Sequence, residues 1–149
     1  MRVALFEPDI PQNAAAIMRT CACLGVPLDI VEPCGFHFGD AGFKRVGLDY
    51  LDRAETTRHS SWTAFLETRA GRLVLLTTKA DLPYTELAYS PQDILLLGRE
   101  SAGVPDHVHR AAGARVRIPM RTGLRSINVA QACAMVLGEA LRQTRGFPT

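Results

Sequence analysis

Only four cysteines occur in this chain, Cys21, Cys23, Cys34 and Cys133, and they form no visible paired framework. Cys21 and Cys23 stand two apart in a stretch of helical periodicity, so their side chains diverge. That excludes a local disulfide or metal pair and leaves both as expected small buried apolar residues. The lack of a disulfide framework fits a reducing compartment. No apolar run reaches the ~18 residues of a membrane span. The start, Met1 to Pro8, lacks the apolar core of a signal peptide, and the chain is expected in the cytoplasm. No charge sign dominates: 17 Lys and Arg stand against 15 Asp and Glu, for a net charge of +2 and a sequence pI of about 8.5. This balance permits an anionic partner without demanding one. Neither G-x-G-x-x-G nor G-x-x-x-x-G-K-[ST] is present, which removes the common nucleotide fingerprints. His107 and His109 fall two apart in a predicted helix, so their rings diverge and no metal site is expected.

What the chain does have is the material of one ordinary domain spanning 1–149. Apolar residues make up 47% and charged residues 21% of its 149 residues. Val3 to Phe6, Leu28 to Val31, Leu73 to Thr78, Asp93 to Gly98 and Ala114 to Ile118 read as strands, the fourth most strongly. A further short strand fits the irregular stretch before Thr57. Pro11 can open a helix that carries Ala14, Ile17, Met18, Cys21 and Leu24 and ends at Gly25. Shorter helices are expected over Ala41 to Val46, after a cap at Ser60 or Ser61, and over Val104 to Ala112. Ser126 is expected to cap a long helix through Arg142. Strands alternating with helices predict an α/β fold with a mostly parallel sheet flanked by helices.

Three segments lie just beyond predicted buried strands, where open α/β sheets bind ligands. They are Leu76-Thr77-Thr78-Lys79, Leu97 to Pro105, and Ile118-Pro119-Met120 with Gly123 through Asn128. Gly98 and Gly103 would let backbone approach a ligand closely. Ser126 would expose free N–H groups at a helix start. Each feature has a plainer explanation as well: a glycine after a strand is often only a turn, Glu100 can simply hold its loop, and Ser126 caps a helix with or without a ligand. The residues alone therefore lead to an α/β domain with a ligand site at three strand-end loops.

These segments together resemble the motifs of the SPOUT methyltransferases, in their ribose-methylating branch. Asn13 to Arg19, with Asn and Arg six apart on the first helix, resembles the first motif. Leu97 to Pro105 resembles the second, and Ile118-Pro119-Met120 through Asn128 the third. Glu7 to Asn13, Gly47 to Tyr50, Thr57-Arg58-His59 and Leu76 to Lys79 look like the small single-domain branch, which acts on the wobble ribose of certain leucine tRNAs. The resemblance spans nearly the whole chain. It implies a C-terminal trefoil knot from about Leu76 to the last helix, against the general rarity of knots. It implies S-adenosylmethionine as methyl donor, no metal, a tRNA anticodon stem-loop rather than DNA as partner, no membrane and a homodimer. The implied cofactor contacts are Leu76, Thr77, Gly98, Glu100, Gly103, Ile118, Met120 and Ser126. Arg19, Ser126 and Asn128 are the implied catalytic residues.

Arg19 is the family's proposed base, yet a guanidinium stays protonated well above neutral pH. Stabilising the developing alkoxide is the role preferred here. Asn13, Arg115, Arg117, Arg121 and Arg125 are candidate RNA contacts, since Arg115 and Arg117 share one strand face. Lys44, Arg45, Arg58 and His59 are weaker candidates and read more readily as solvated surface. Ala130, Ala134 and Gly138 form a smooth stripe on the last helix that suits close helix approach, to a partner or within the subunit. Three other readings stay open: ribose methylation of another RNA, a catalytically silent RNA-binding knot, and a flavodoxin-like nucleotide binder without affinity for the methyl donor.

Overall fold

The computed structural model describes residues 1–39 and 41–149. The chain begins with β1 (Arg2–Phe6), α1 (Pro11–Leu24), β2 (Leu28–Val31), α2 (Ala41–Gly47), a 3-10 turn (Leu48–Asp52), β3 (Thr56–His59) and α3 (Trp62–Thr68). It continues with β4 (Leu73–Leu76), β5 (Ile94–Leu97), α4 (Asp106–Ala111), β6 (Ala114–Val116) and α5 (Val129–Thr144). The six strands form one parallel sheet in the order β3-β2-β1-β5-β4-β6. The first three strands run outward in one direction and the rest lie on the other side of β1. The order therefore reverses between β1 and β5, the kind of switch point at which α/β sheets open a crevice.

Strand alternation divides the core between two faces. Val3, Leu5, Leu28, Ile30, Val74, Leu95, Leu97 and Val116 meet the buried stripes of α1 and α5. Ala4, Phe6, Val31, Leu73, Leu75, Ile94 and Leu96 meet Phe65 of α3 and Val108 of α4. Each Leu, Ile or Phe removed from water here contributes ~1.5–3 kcal/mol. Pro11 stands in the first turn of α1, and Gly25 ends that helix in the left-handed region at φ 64°.

Several expectations shift in detail. The short strand expected before Thr57 is Thr56–His59, pairing with β2. The strand from Leu73 stops at Leu76 rather than Thr78. The Thr77 N–H still reaches the Val116 carbonyl at 2.9 Å, and the Thr77 Oγ1 then accepts from the Lys79 N–H, turning the chain. The last strand stops at Val116 because Arg117 pairs instead with an irregular segment, donating to the Leu82 carbonyl and accepting from the Tyr84 N–H, both at 2.9 Å. Pro105 lies outside α4 as its cap, so that helix starts at Asp106. Ser126 does not cap α5. Asn128 does, its side-chain oxygen accepting from the N–H groups of Ala130 (2.9 Å) and Gln131 (3.3 Å). Cys21 is buried as expected, but Cys23 is exposed, on the outer side of α1. No helix among the described residues is long and apolar enough to cross a membrane.

Candidate active site

A cleft of about 610 Å³ opens where β1, β5, β4 and β6 end, closed on one side by the start of α5. That size suits a cofactor-sized ligand. It collects residues far apart in sequence. Leu76, Thr77, Gly98, Glu100, Gly103, Ile118, Met120, Ser126, Asn128 and Asn13 all line it. Val104, inside the expected Leu97–Pro105 segment, lines it too, as do Asp106, His109 and Ala132, which sequence reasoning missed. The helical pattern of Asp106, His109 and Ala132 carries no ligand signal, and a single histidine on a short helix has no partner in sequence that would mark it. Among the described residues no cluster of three or more His, Cys, Asp or Glu is arranged to hold a metal.

The loop after β5 is built by close backbone approach. The Arg99 N–H donates to the Gly103 carbonyl at 3.0 Å, and the Gly103 N–H returns a bond to Arg99 at 2.9 Å. Gly103 sits in the left-handed region at φ 64°. A Cβ on Gly98 would stand 2.6 Å from the Gly103 carbonyl carbon. Both glycines are thus required by geometry.

The loop after β1 is fastened onto this one. Glu7 is ion-paired with Arg99. Asp9 accepts from the Glu100 N–H at 3.2 Å and from the Ser101 hydroxyl, while the Asp9 N–H points to the Glu100 carboxyl at 3.4 Å. Burial and the adjacent Asp9 push the Glu100 carboxyl above its ordinary range. Hydrogen bonds from Glu100 and Ser101 hold Asp9 below its own. A second tie joins the chain's two ends, where the Asn128 side-chain N–H donates to Asn13 Oδ1 at 2.9 Å. Asn128 thereby caps α5 with its oxygen and fixes α1 with its nitrogen.

Arg19 stands elsewhere in the subunit. Six residues carry it ~9 Å along α1 and ~120° around the axis from Asn13. It is exposed, with its guanidinium 4.7 Å from the Tyr50 ring centre, and is not among the residues lining the cleft. Arg121 and Arg125 are exposed in the loop before α5. Arg115 and Arg117 are turned onto the protein. Arg115 donates to the His109 carbonyl at 2.9 and 2.6 Å, and Arg117 to the Asp81 carbonyl at 3.3 Å.

Among the weaker RNA candidates, Lys44 and Arg45 are exposed, and Arg58 pairs with Glu32 over the Phe38 ring. His59 is not solvated surface: it is buried against Asp29 at 2.9 Å, and Asp29 also binds Arg2. Burial pushes the Cys21 thiol up to about 12 and Cys133 well above its usual range, so neither is a thiolate nucleophile.

A glycine-built loop, a helix start and the apolar side chains of Leu75, Val104 and Val116 around one cleft fit a ligand with a flat apolar part and a polar tail. Comparison with known proteins gives this shape a lineage. Residues 1–138 match the SpoU rRNA Methylase family. A tRNA (cytidine(34)-2′-O)-methyltransferase of Ancylobacter novellus is 57% identical over 150 residues, covering 99% of this chain and 95% of that protein. A solved structure concerned with the 2-OH methylation of C/U34 on tRNA superposes with a TM-score of 0.90 at 37% identity, covering 95% of this chain and 94% of that one. An AdoMet-bound rRNA methyltransferase from Sinorhizobium meliloti superposes with a TM-score of 0.86 at 26% identity, covering 95% of this chain and 55% of that one. The chain belongs to the SpoU methylase family, the ribose-methylating branch that its motifs resemble.

Proposed function

We propose that the protein methylates the 2′-hydroxyl of the wobble ribose, nucleotide 34, in leucine tRNAs, with S-adenosylmethionine as donor and without metal. The observation that carries this reading is the Asn13–Asn128 hydrogen bond. It fastens the helix of the ribose-methylating motif to the rim of the strand-end cleft. The cofactor, when bound, supplies an electrophilic methyl group on a cationic sulfur.

The chain's own residues do the rest. The paired backbone of Arg99 and Gly103 shapes a fixed wall, and a wall that need not reorganise favours close, aligned reactants, worth ~7–11 kcal/mol at most. Ser126 and Asn128 line the side of the cleft at the start of α5, where the positive end of the helix dipole suits an anionic tail or a developing oxyanion, while Asn128 itself takes the N–H groups of Ala130 and Gln131. Arg19 stabilises the ribose oxygen as its proton passes to solvent water. Its exposure outside the cleft of its own subunit supports action on the cleft of a partner in a homodimer. Exposed Met135 and Ala134 on α5, beside half-buried Gly138 with open space above it, offer a smooth surface for that partner. Asn13, Arg121 and Arg125 are assigned to tRNA, in the cytoplasm where tRNA is met. Arg115 and Arg117 are assigned to it through whatever donors their carbonyl contacts leave free. The segment from Leu76 through α5 is assigned to the trefoil knot.

The test uses tRNA from cells lacking this gene and methyl-labelled S-adenosylmethionine, followed by mass analysis of the modified nucleosides. Label on the nucleotide-34 ribose of leucine tRNAs is expected. Label elsewhere redirects the substrate, and no label with an intact fold supports a silent RNA-binding protein. Arg19→Ala should lose at least ~100-fold in single-turnover rate while its affinity for S-adenosylhomocysteine stays within ~2-fold, because the charge meets substrate only in the transition state. Arg19→Lys should rescue poorly, lacking the planar fork of donors. Near-normal turnover in the alanine variant would make Arg19 a surface residue.

A further inference from the structure

The wall of the cleft formed by α4 carries a histidine outside all three sequence motifs. His109 stands one turn after Asp106, and both line the cleft. Its Nδ1 lies 3.1 Å from the Nε of Arg115. The same guanidinium donates to the His109 carbonyl. Arginine has donors only, so the Nδ1 facing it must present a lone pair. A neutral imidazole carries one N–H, which therefore sits on Nε2. That Nε2 is shielded from solvent and has no hydrogen-bond partner among the described residues. A buried donor left unpaired is costly, and such groups commonly mark a bound partner.

The two sides of the cleft differ in chemistry. Leu75 and Val104, which belong to the apolar cluster of the α3–α4 face, line it with His109, whereas Ser126 and Asn128 line it at the start of α5, on the face to which Val116 belongs. The apolar side suits a flat base, and the helix start suits a carboxylate. Of the groups in S-adenosylmethionine, the sulfonium and the ammonium accept no hydrogen bond, whereas the carboxylate, the ribose oxygens and the adenine ring nitrogens do. Beside the apolar Leu75 and Val104 the flat adenine is the part that fits.

We propose that His109, its ring shifting slightly to bring the shielded Nε2 to the cleft it lines, donates from Nε2 to a ring nitrogen of the cofactor's adenine, and that Arg115 is the positioning residue that fixes the required tautomer. This rests on the cofactor reading above. It also explains why Arg115 is turned inward. Its guanidinium caps the end of α4 and sets the proton of the ring one turn from Asp106.

The test is calorimetric titration of the full chain with S-adenosylhomocysteine and its 1-deaza, 3-deaza and 7-deaza adenine counterparts. Wild type and His109→Leu are compared. His109→Leu should bind S-adenosylhomocysteine about 10-fold more weakly, the scale of one lost buried hydrogen bond. One deaza analogue should lose a similar factor in wild type and nothing further in His109→Leu. Long-range proton–nitrogen NMR should find the ring as the Nε2–H tautomer, and Arg115→Met should lose that single tautomer. Equal binding by His109→Leu overturns the proposal, as does the Nδ1–H tautomer or equal losses for every deaza analogue in both proteins. If His109→Leu does not fold, the wild-type deaza series and tautomer decide alone. Failure of wild type to bind S-adenosylhomocysteine refutes the cofactor reading itself, which separates the two failures.

Discussion

Gly98→Ala is the sharpest test of how the cleft is built. The new Cβ would meet the Gly103 carbonyl carbon at 2.6 Å, its oxygen at 2.8 Å and Val104 Cγ1 at 2.9 Å. Two of these atoms are backbone, held in place by the reciprocal Arg99–Gly103 bonds at 3.0 and 2.9 Å. Relief needs a shift of roughly 1 Å, which opens both bonds at ~0.5–1.5 kcal/mol each and adds overpacking strain of ~1–3 kcal/mol. The sum is ~2–6 kcal/mol, or a melting temperature lower by about 4–24 °C for a chain of this length. Because the moved loop is also the cleft wall, S-adenosylhomocysteine should bind at least ~10-fold more weakly, equivalent to ~1.4 kcal/mol. Thermal unfolding by circular dichroism beside calorimetric titration measures both. Unchanged melting and unchanged affinity would refute the rigid-loop argument. Lost stability with intact affinity would mean that the ligand does not lean on this wall.

The Glu100–Asp9 pair gives a pH prediction. A carboxyl whose pKa is raised on folding stabilises the fold while protonated, and that contribution is lost as pH rises through the raised value. Glu100→Gln keeps the protonated shape, so its melting temperature should exceed that of wild type at neutral pH and converge with it in acid, as the carboxyl protonates; a constant offset at every pH would count against a raised Glu100 carboxyl. Asp93 is 1% exposed and accepts from Arg72 at 3.0 and 2.7 Å and from the Ser90 N–H at 2.8 Å. Asp93→Asn should cost ~2–3 kcal/mol in urea unfolding, the low end for a buried pair because Arg72 is itself partly exposed. On α5, Gly138→Ala meets no atom within 4 Å and should stabilise the subunit by up to ~1 kcal/mol. Gly138→Leu should shift sedimentation from dimer to monomer, and an unaltered dimer would move the interface off this face.

Local pattern carried most of the fold. The apolar runs at Val3–Phe6, Leu28–Val31, Leu73–Leu76 and Ile94–Leu97 are buried strands because each faces helices on both sides. Element ends were less legible, since they are decided by partners distant in sequence. Leu82 and Tyr84 take over the bonds of Arg117, and nothing near Arg117 announces this. Asn128 displaces Ser126 as the cap for a related reason. Both residues suit the role, but only Asn128 also has an amide nitrogen to spend on Asn13. The strand-end loops were visible as glycine and proline punctuation. His109 and Asp9 were not, because their roles depend on Arg115 and on Glu100 and Ser101, which the fold brings to them.

These distant ties bear on how the site comes into being. Asp9 meets Glu100 across 91 residues, and Asn13 meets Asn128 across 115. Glu7 and Arg99 add a second bridge between the loops that hold Asp9 and Glu100. Closing loops of this length costs chain entropy that only the completed sheet and helices can offset. The cleft therefore cannot precede the fold, and any change that loosens α5 from α1 acts on the site before it acts on the core. Asn128 is where the two meet. Its oxygen supports α5, an N-cap contribution of ~1 kcal/mol, while its nitrogen sets Asn13 at the rim. Replacing it by Asp would keep the cap and remove the amide donor. That variant separates what the residue does for the helix from what it does for the site.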